Sequence, residues 1–110
     1  MKVHLIKEQT VRRFIFSHSG SKSAMEGWMN KIHFSDWEKP EDMKNIFGTV
    51  DFLGRGSSRV IFDLGGNNYR IIAKYAFGER QVHLFVCWIG THAEYDKLCK
   101  DNLQFDIAVY

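Results

Sequence analysis

A chain of 110 residues is the size of one domain, and with 45% hydrophobic and 15% aromatic residues it can build a core, which excludes a disordered chain. Fifteen basic against 13 acidic residues leave a formal charge of +2, so net charge does not demand a nucleic-acid partner, and phosphate binding would need a local basic patch. Two cysteines, Cys87 and Cys99, make no disulfide framework, no run approaches the roughly 18 apolar residues of a membrane span, and Met1-Lys2-Val3-His4 opens no apolar leader, so the reading is one cytoplasmic domain over residues 1–110.

The first predicted element is a short strand, Lys2–Ile6, inserted in a sheet. Lys7–His18 then shows helical spacing, with Val11, Phe14, Ile15 and His18 on one face and Arg12 and Arg13 off it. Ser19-Gly20-Ser21 breaks the pattern. Ser21 can cap a second helix, Lys22–Phe34, whose stripe is Ala24, Met25, Trp28, Met29 and Ile32. These stripes read as core packing, not as a cofactor box. Ser35–Lys39 connects to a short helical segment. There Pro40 suits the first turn, Glu41 and Asp42 suit its positive end, and Met43, Ile46 and Phe47 form its buried side. Gly48 can end it. Asp51–Ser57 is a glycine-rich loop carrying Arg55.

Ser58–Leu64, Asn68–Ala76 and Arg80–Ile89 alternate apolar with other residues, the period of a strand. Gly65-Gly66-Asn67 and Phe77-Gly78-Glu79 supply the turns between them. Turns centred on Gly66-Asn67 and Gly78-Glu79 sort the side chains into two faces. One carries Val60, Phe62, Leu64, Tyr69, Ile71, Ala73, Tyr75, Val82, Leu84, Val86 and Trp88, and must be covered. The other carries Arg59, Ile61, Asp63, Arg70, Ile72, Lys74, His83, Phe85, Cys87 and Ile89, and reads as a working surface. In this register Asp63 lies opposite Arg70, and Arg59 opposite Lys74. A one-residue slip would destroy the sorting. Thr91-His92-Ala93-Glu94 has the spacing of a capping box and opens a helix over Thr91–Lys100. Leu103, Phe105 and Ile107 then alternate as a final short strand. The whole reads as an α+β domain with an antiparallel-rich sheet, N-terminal helices on one face and a short helix near the C-terminus.

Several of these segments resemble HigB-type toxins. Residues Arg59 to Lys74 resemble their G-N-x-[YL]-R segment, Thr91-His92-Ala93-Glu94-Tyr95-Asp96 their T-H-x-E-Y-D signature, and Lys39 to Phe47 their K-P-x-x-x-K-x-x-F block. Val3-His4-Leu5-Ile6 is similar to their first strand. The resemblance implies a RelE-like fold and a ribosome-dependent ribonuclease that cuts mRNA in the decoding site. It also implies a HigA-type antitoxin with a helix-turn-helix domain, a possible toxin–antitoxin hetero-oligomer, and no cofactor.

RNA cleavage without a metal needs a base for the ribose 2′-OH, cations for the charge on the phosphorane, and an acid for the departing 5′-oxygen. His92 is the leading acid–base candidate. It sits just inside the N-cap, where the helix dipole disfavours imidazolium, which suits a base. From spacing alone it is equally a histidine packed at a helix start. Tyr95 and Asp96 share its face at three and four residues on. Tyr95 either stacks a base, handles a proton or packs on the sheet; Asp96 orients His92 or pairs with Arg70. Thr91 and Glu94 read as the cap. Arg70 either pairs across the strands with Asp63 or forks onto the scissile phosphate. The resemblance favours His92, Tyr95 and Arg70 as the catalytic set. Arg59, Lys74 and Arg55 are RNA-backbone contacts or ordinary surface charges. His83, Cys87, His92 and Cys99 lack the spacing of a metal site. The rival reading is an RNA- or protein-binding module on the same fold, without chemistry.

Overall fold

The computed structural model describes residues 1–110. Its elements are β1 (Lys2–Ile6), α1 (Glu8–Ser17), α2 (Lys22–His33), β2 (Asp51–Phe52), β3 (Arg59–Leu64), β4 (Tyr69–Phe77), β5 (Gln81–Thr91) and α3 (His92–Lys100). Short 3-10 turns occupy Ser19–Ser21, Pro40–Asn45 and Leu103–Phe105. Five strands form one sheet in the order β1-β5-β4-β3-β2, antiparallel except where β1 lies parallel to β5. This is the α+β class expected from the sequence, and it is consistent with a RelE-like fold.

The helical stripes meet the apolar sheet face as their spacing requires. Val11 and Phe14 of α1, and Met25, Trp28, Met29 and Ile32 of α2, are buried against Val60, Phe62, Ile71, Val82 and Leu84. Trp28 and Phe47 meet Phe62 edge-on, with ring centroids 5.3 and 4.9 Å apart. Full burial of such a side chain stabilises the fold by roughly 1.5–3 kcal/mol. The cover departs from the sequence reading at three residues. Ile46 is exposed, because the segment from Pro40 is a 3-10 turn that buries only Met43, with Phe47 beyond it. His18 is exposed too, with its ring stacked on Phe14. Ser21 does not cap α2 through its side chain; its hydroxyl donates to the His18 carbonyl at 2.7 Å inside the turn joining the helices.

The β3–β4 hairpin has the expected register, with Asp63 opposite Arg70 and Arg59 opposite Lys74. The β4–β5 hairpin closes two residues further on, with Phe77 opposite Val82, which leaves the faces unchanged. A bulge then intervenes. Ala73 pairs with Val86 and Ile72 with Trp88, so Cys87 is an extra residue with no opposite number. Beyond it the faces of β5 are exchanged. Ile89 enters the helix-side core, and Trp88 moves to the other face beside Ile72 and Tyr95. Both placements reverse the sequence expectation.

The Trp88 indole lies across Gly90, where a Cβ would run into its ring. Gly90→Ala is therefore expected to displace the indole and cost about 1–3 kcal/mol. Chemical denaturation and the near-ultraviolet tryptophan signal will measure this; no change in either would show that the ring is free to move.

The expected final strand is absent. Asn102 turns into the left-handed region at φ 55°, and Leu103–Phe105 forms a 3-10 turn instead. The tail is then tied to the sheet. Arg59 Nη1 donates to the carbonyls of Gln104 at 3.2 Å and Ile107 at 2.6 Å, and the Val109 amide donates to the Cys87 carbonyl at 2.9 Å. Local alternation yields here to contacts made far along the chain.

Candidate functional site

Two turns of the backbone build the site. Between β3 and β4, Gly65, Gly66 and Asn67 take φ values of 61°, 63° and 79° in succession, a left-handed path that glycine and asparagine tolerate best. This folds Asn67 back toward Arg70, the second residue of β4. At the end of β5 the chain enters α3 through the expected capping box. The Glu94 amide donates to Thr91 Oγ1 at 3.2 Å, and the Thr91 amide donates to Glu94 Oε1 at 2.8 Å. The His92 amide donates to the Asn68 carbonyl at 3.0 Å, which joins the helix start to the β3–β4 turn.

Arg70 is the hub. It is only 6% exposed, and every nitrogen of its guanidinium is engaged inside the protein. Nε lies 2.6 Å from Asp63 Oδ1. Nη1 donates to the carbonyls of Asn67 and Tyr69 at 3.2 and 3.3 Å. Nη2 donates to Asn67 Oδ1 at 2.6 Å and to His92 Nδ1 at 2.8 Å. The sequence offered Arg70 an ion pair with Asp63 or a fork onto phosphate. The ion pair is present, and the buried guanidinium turns no unengaged nitrogen outward for a fork.

His92 and Arg70 thus share one face and touch, as a common site requires. His92 remains 46% exposed on its side chain, and Nε2 stands 3.5 Å from Asp96 Oδ2. Asp96 therefore faces His92 and not Arg70. An open cleft of about 560 Å³ lies between the β3–β4 turn and the start of α3, walled by Asn67, Asn68, Tyr69, Thr91 and His92. Tyr95 lies outside these walls. Its ring sits under the Arg70 guanidinium, 5.8 Å from the ring centroid, and against Trp88 at 6.1 Å. Burial pushes the Tyr95 phenol well above its ordinary range, and its neighbour Cys99 adds to this. The group stays protonated at neutral pH and buttresses the arginine.

The three other basic candidates go elsewhere. Lys74 is exposed four residues along β4 from Arg70, roughly 13 Å at ~3.3 Å per residue. It borders a second cleft, of about 440 Å³, with Lys7 and Phe85. Arg55 stacks on Phe105, 4.1 Å from the ring centroid. Arg59 is buried and holds the tail, so neither a surface charge nor an open phosphate contact describes it. No three His, Cys, Asp or Glu side chains converge on a point. Cys87 instead packs with Ile61, Ile72 and Leu98.

Sequence reasoning missed Asn67 and Trp88. The signal for Asn67 was its place after two glycines, which marks a left-handed turn; nothing local marked Trp88.

A profile of HigB toxins, described as the RelE-like toxic component of a toxin–antitoxin system, matches residues 21–98. The mRNA interferase HigB of Escherichia coli O6:H1 is 30% identical over 98 residues, covering 89% of this chain and 93% of the relative. The mRNA interferase HigB of Shigella flexneri is 26% identical over 94 residues, 86% of this chain and 88% of the relative.

Proposed function

This chain belongs to the HigB family of RelE-like toxins, and on that premise we propose that it is an mRNA endoribonuclease that acts on the ribosome. The observation that carries the reading is the Arg70–His92 contact of 2.8 Å at the edge of an open cleft. A half-exposed imidazole, backed by a fixed positive charge at the edge of a cleft open to a phosphodiester, supports this reading.

The reaction follows from the substrate. The ribose 2′-oxygen attacks the adjacent phosphorus, the 2′-O–P bond forms and the P–O5′ bond breaks. Solvent water takes the proton of the 2′-hydroxyl and solvent water supplies the one that reaches the 5′-oxygen. His92 addresses the reacting phosphate. Arg70 sets its orientation and contributes charge that needs no reorganisation. Tyr95 holds Arg70 from below, Asp96 borders the free imidazole nitrogen, and Thr91 and Glu94 fix the helix start. The RNA strand continues toward Lys74 and Lys7, with Arg55 as a further contact. A modest net charge suits an enzyme whose substrate is positioned by the ribosome. The partner that silences it is a HigA-type antitoxin with a helix-turn-helix domain, in a cytoplasmic toxin–antitoxin complex.

The test is incubation of the purified protein with ribosomes programmed with a defined mRNA, beside the same RNA alone. Cuts that need the ribosome and leave 2′,3′-cyclic phosphate and 5′-hydroxyl ends are expected. Ends of 5′-phosphate would refute the 2′-OH mechanism, and intact mRNA would favour a binding module. Lys74→Ala is expected to weaken RNA binding at every sequence alike and to lower the slope of affinity against salt by about one ion. An unchanged slope would remove Lys74 from the RNA path.

A further inference from the structure

The contacts around Arg70 decide the chemical state of His92. A guanidinium can only donate, so the nitrogen that Arg70 Nη2 approaches to 2.8 Å must offer a lone pair. That nitrogen is Nδ1. A neutral imidazole has one N–H, which then sits on Nε2, the nitrogen beside Asp96 Oδ2. Protonation of Nδ1 would set one N–H against another.

Asn67 holds this arrangement. Its Oδ1 and its carbonyl accept from Nη2 and Nη1 at 2.6 and 3.2 Å, so one residue grips both terminal nitrogens of the fork. Asp63 closes the third side at Nε. Glycine would suit a φ of 79° at least as well as asparagine, so what the asparagine adds is its side-chain acceptor.

We infer that Asn67 and Arg70 are positioning residues that hold His92 as the neutral Nε2–H imidazole, so that His92 serves RNA cleavage as a hydrogen-bond donor to the phosphoryl oxygens and not as the base. The catalytic half of this inference rests on the nuclease reading; the tautomer does not. A neutral histidine fixed as a donor stabilises developing oxyanion charge without giving up its proton. Arg70 acts through His92, which explains how a buried arginine with no unengaged nitrogen serves the site.

Long-range proton–nitrogen correlation spectra of the full chain with labelled histidine, at neutral pH and without RNA, read the tautomer directly. The expected pattern for His92 is an unprotonated Nδ1 and a protonated Nε2. A dominant Nδ1–H form or an imidazolium overturns the inference. Asn67→Gly keeps the turn but removes the acceptor, and should mix the two tautomers; Asn67→Asp should restore the wild-type pattern. Unmixed signals in Asn67→Gly would remove Asn67 from the role. In the ribosome assay Asn67→Gly should lose on the order of ten- to a hundredfold in rate, the worth of a hydrogen bond to a charged group. His92→Gln separates the roles, because glutamine donates but is no base. Activity well above His92→Ala supports the donor; activity equal to it restores the base. If wild type cuts nothing, the nuclease reading fails, while the spectra still decide the tautomer.

Discussion

Arg70→Ala is expected to destabilise the domain by about 3 kcal/mol, the lower end of the ~3–5 kcal/mol for breaking a buried ion pair. The guanidinium side chain is 8% exposed, so its removal strips a carboxylate of its counter-charge and takes the donor from Asn67 Oδ1 and from the Asn67 carbonyl. Asp63 keeps 24% of its side chain in water, which holds the cost toward the lower end. Tyr95 loses the group above its ring as well. Urea denaturation will show a lower midpoint with an unchanged slope. A cycle with Asp63→Ala isolates the pair, and the double variant should cost clearly less than the two single losses together. Additive losses would mean that the 2.6 Å contact carries no coupling. With typical domain stabilities of about 5–15 kcal/mol, such a loss lowers the amount of folded protein in cells. Growth assays of Arg70 variants therefore need the folded fraction measured beside them.

His92→Ala should behave in the opposite way. Its side chain is 46% exposed and its backbone amide bond to Asn68 survives the substitution, so the stability change should stay near or below about 1 kcal/mol. Cleavage on the ribosome should fall by about 10²–10⁴-fold, the range for a group that assists proton transfer or stabilises the developing charge. In bacteria, induced wild type should arrest growth with cut mRNA, and His92→Ala should do neither while remaining folded. A folded His92→Ala that still cuts would discard this cleft as the active site. The contrast between the two variants is itself informative. Arg70 should matter to both stability and rate, His92 to rate alone.

The sequence by itself determined the layers, the β3–β4 register and the capping box. Each is set by neighbours within a few residues: a period of two in the strands, a period near 3.6 in the helices, a double glycine at a turn, a threonine three residues before a glutamate. The motif Thr91 to Asp96 also named Thr91 and His92, which line the candidate cleft, because it spans the junction of β5 and α3. What the tertiary structure decided lies wherever a distant segment completes a local pattern. The bulge at Cys87 carries no glycine or proline to announce it, so simple alternation runs on past it and assigns Trp88 and Ile89 to the wrong faces. Alternation at Leu103, Phe105 and Ile107 looked like a strand, but Arg59, far back in the sequence, holds the carbonyls of Gln104 and Ile107 and buries itself in doing so. Spacing could pair Arg70 with Asp63 across a hairpin. Only the packing of the β3–β4 turn against the start of α3 brought Asn67 and His92 onto the same guanidinium, because a hydrogen-bond partner is chosen by position in space and not by distance along the chain.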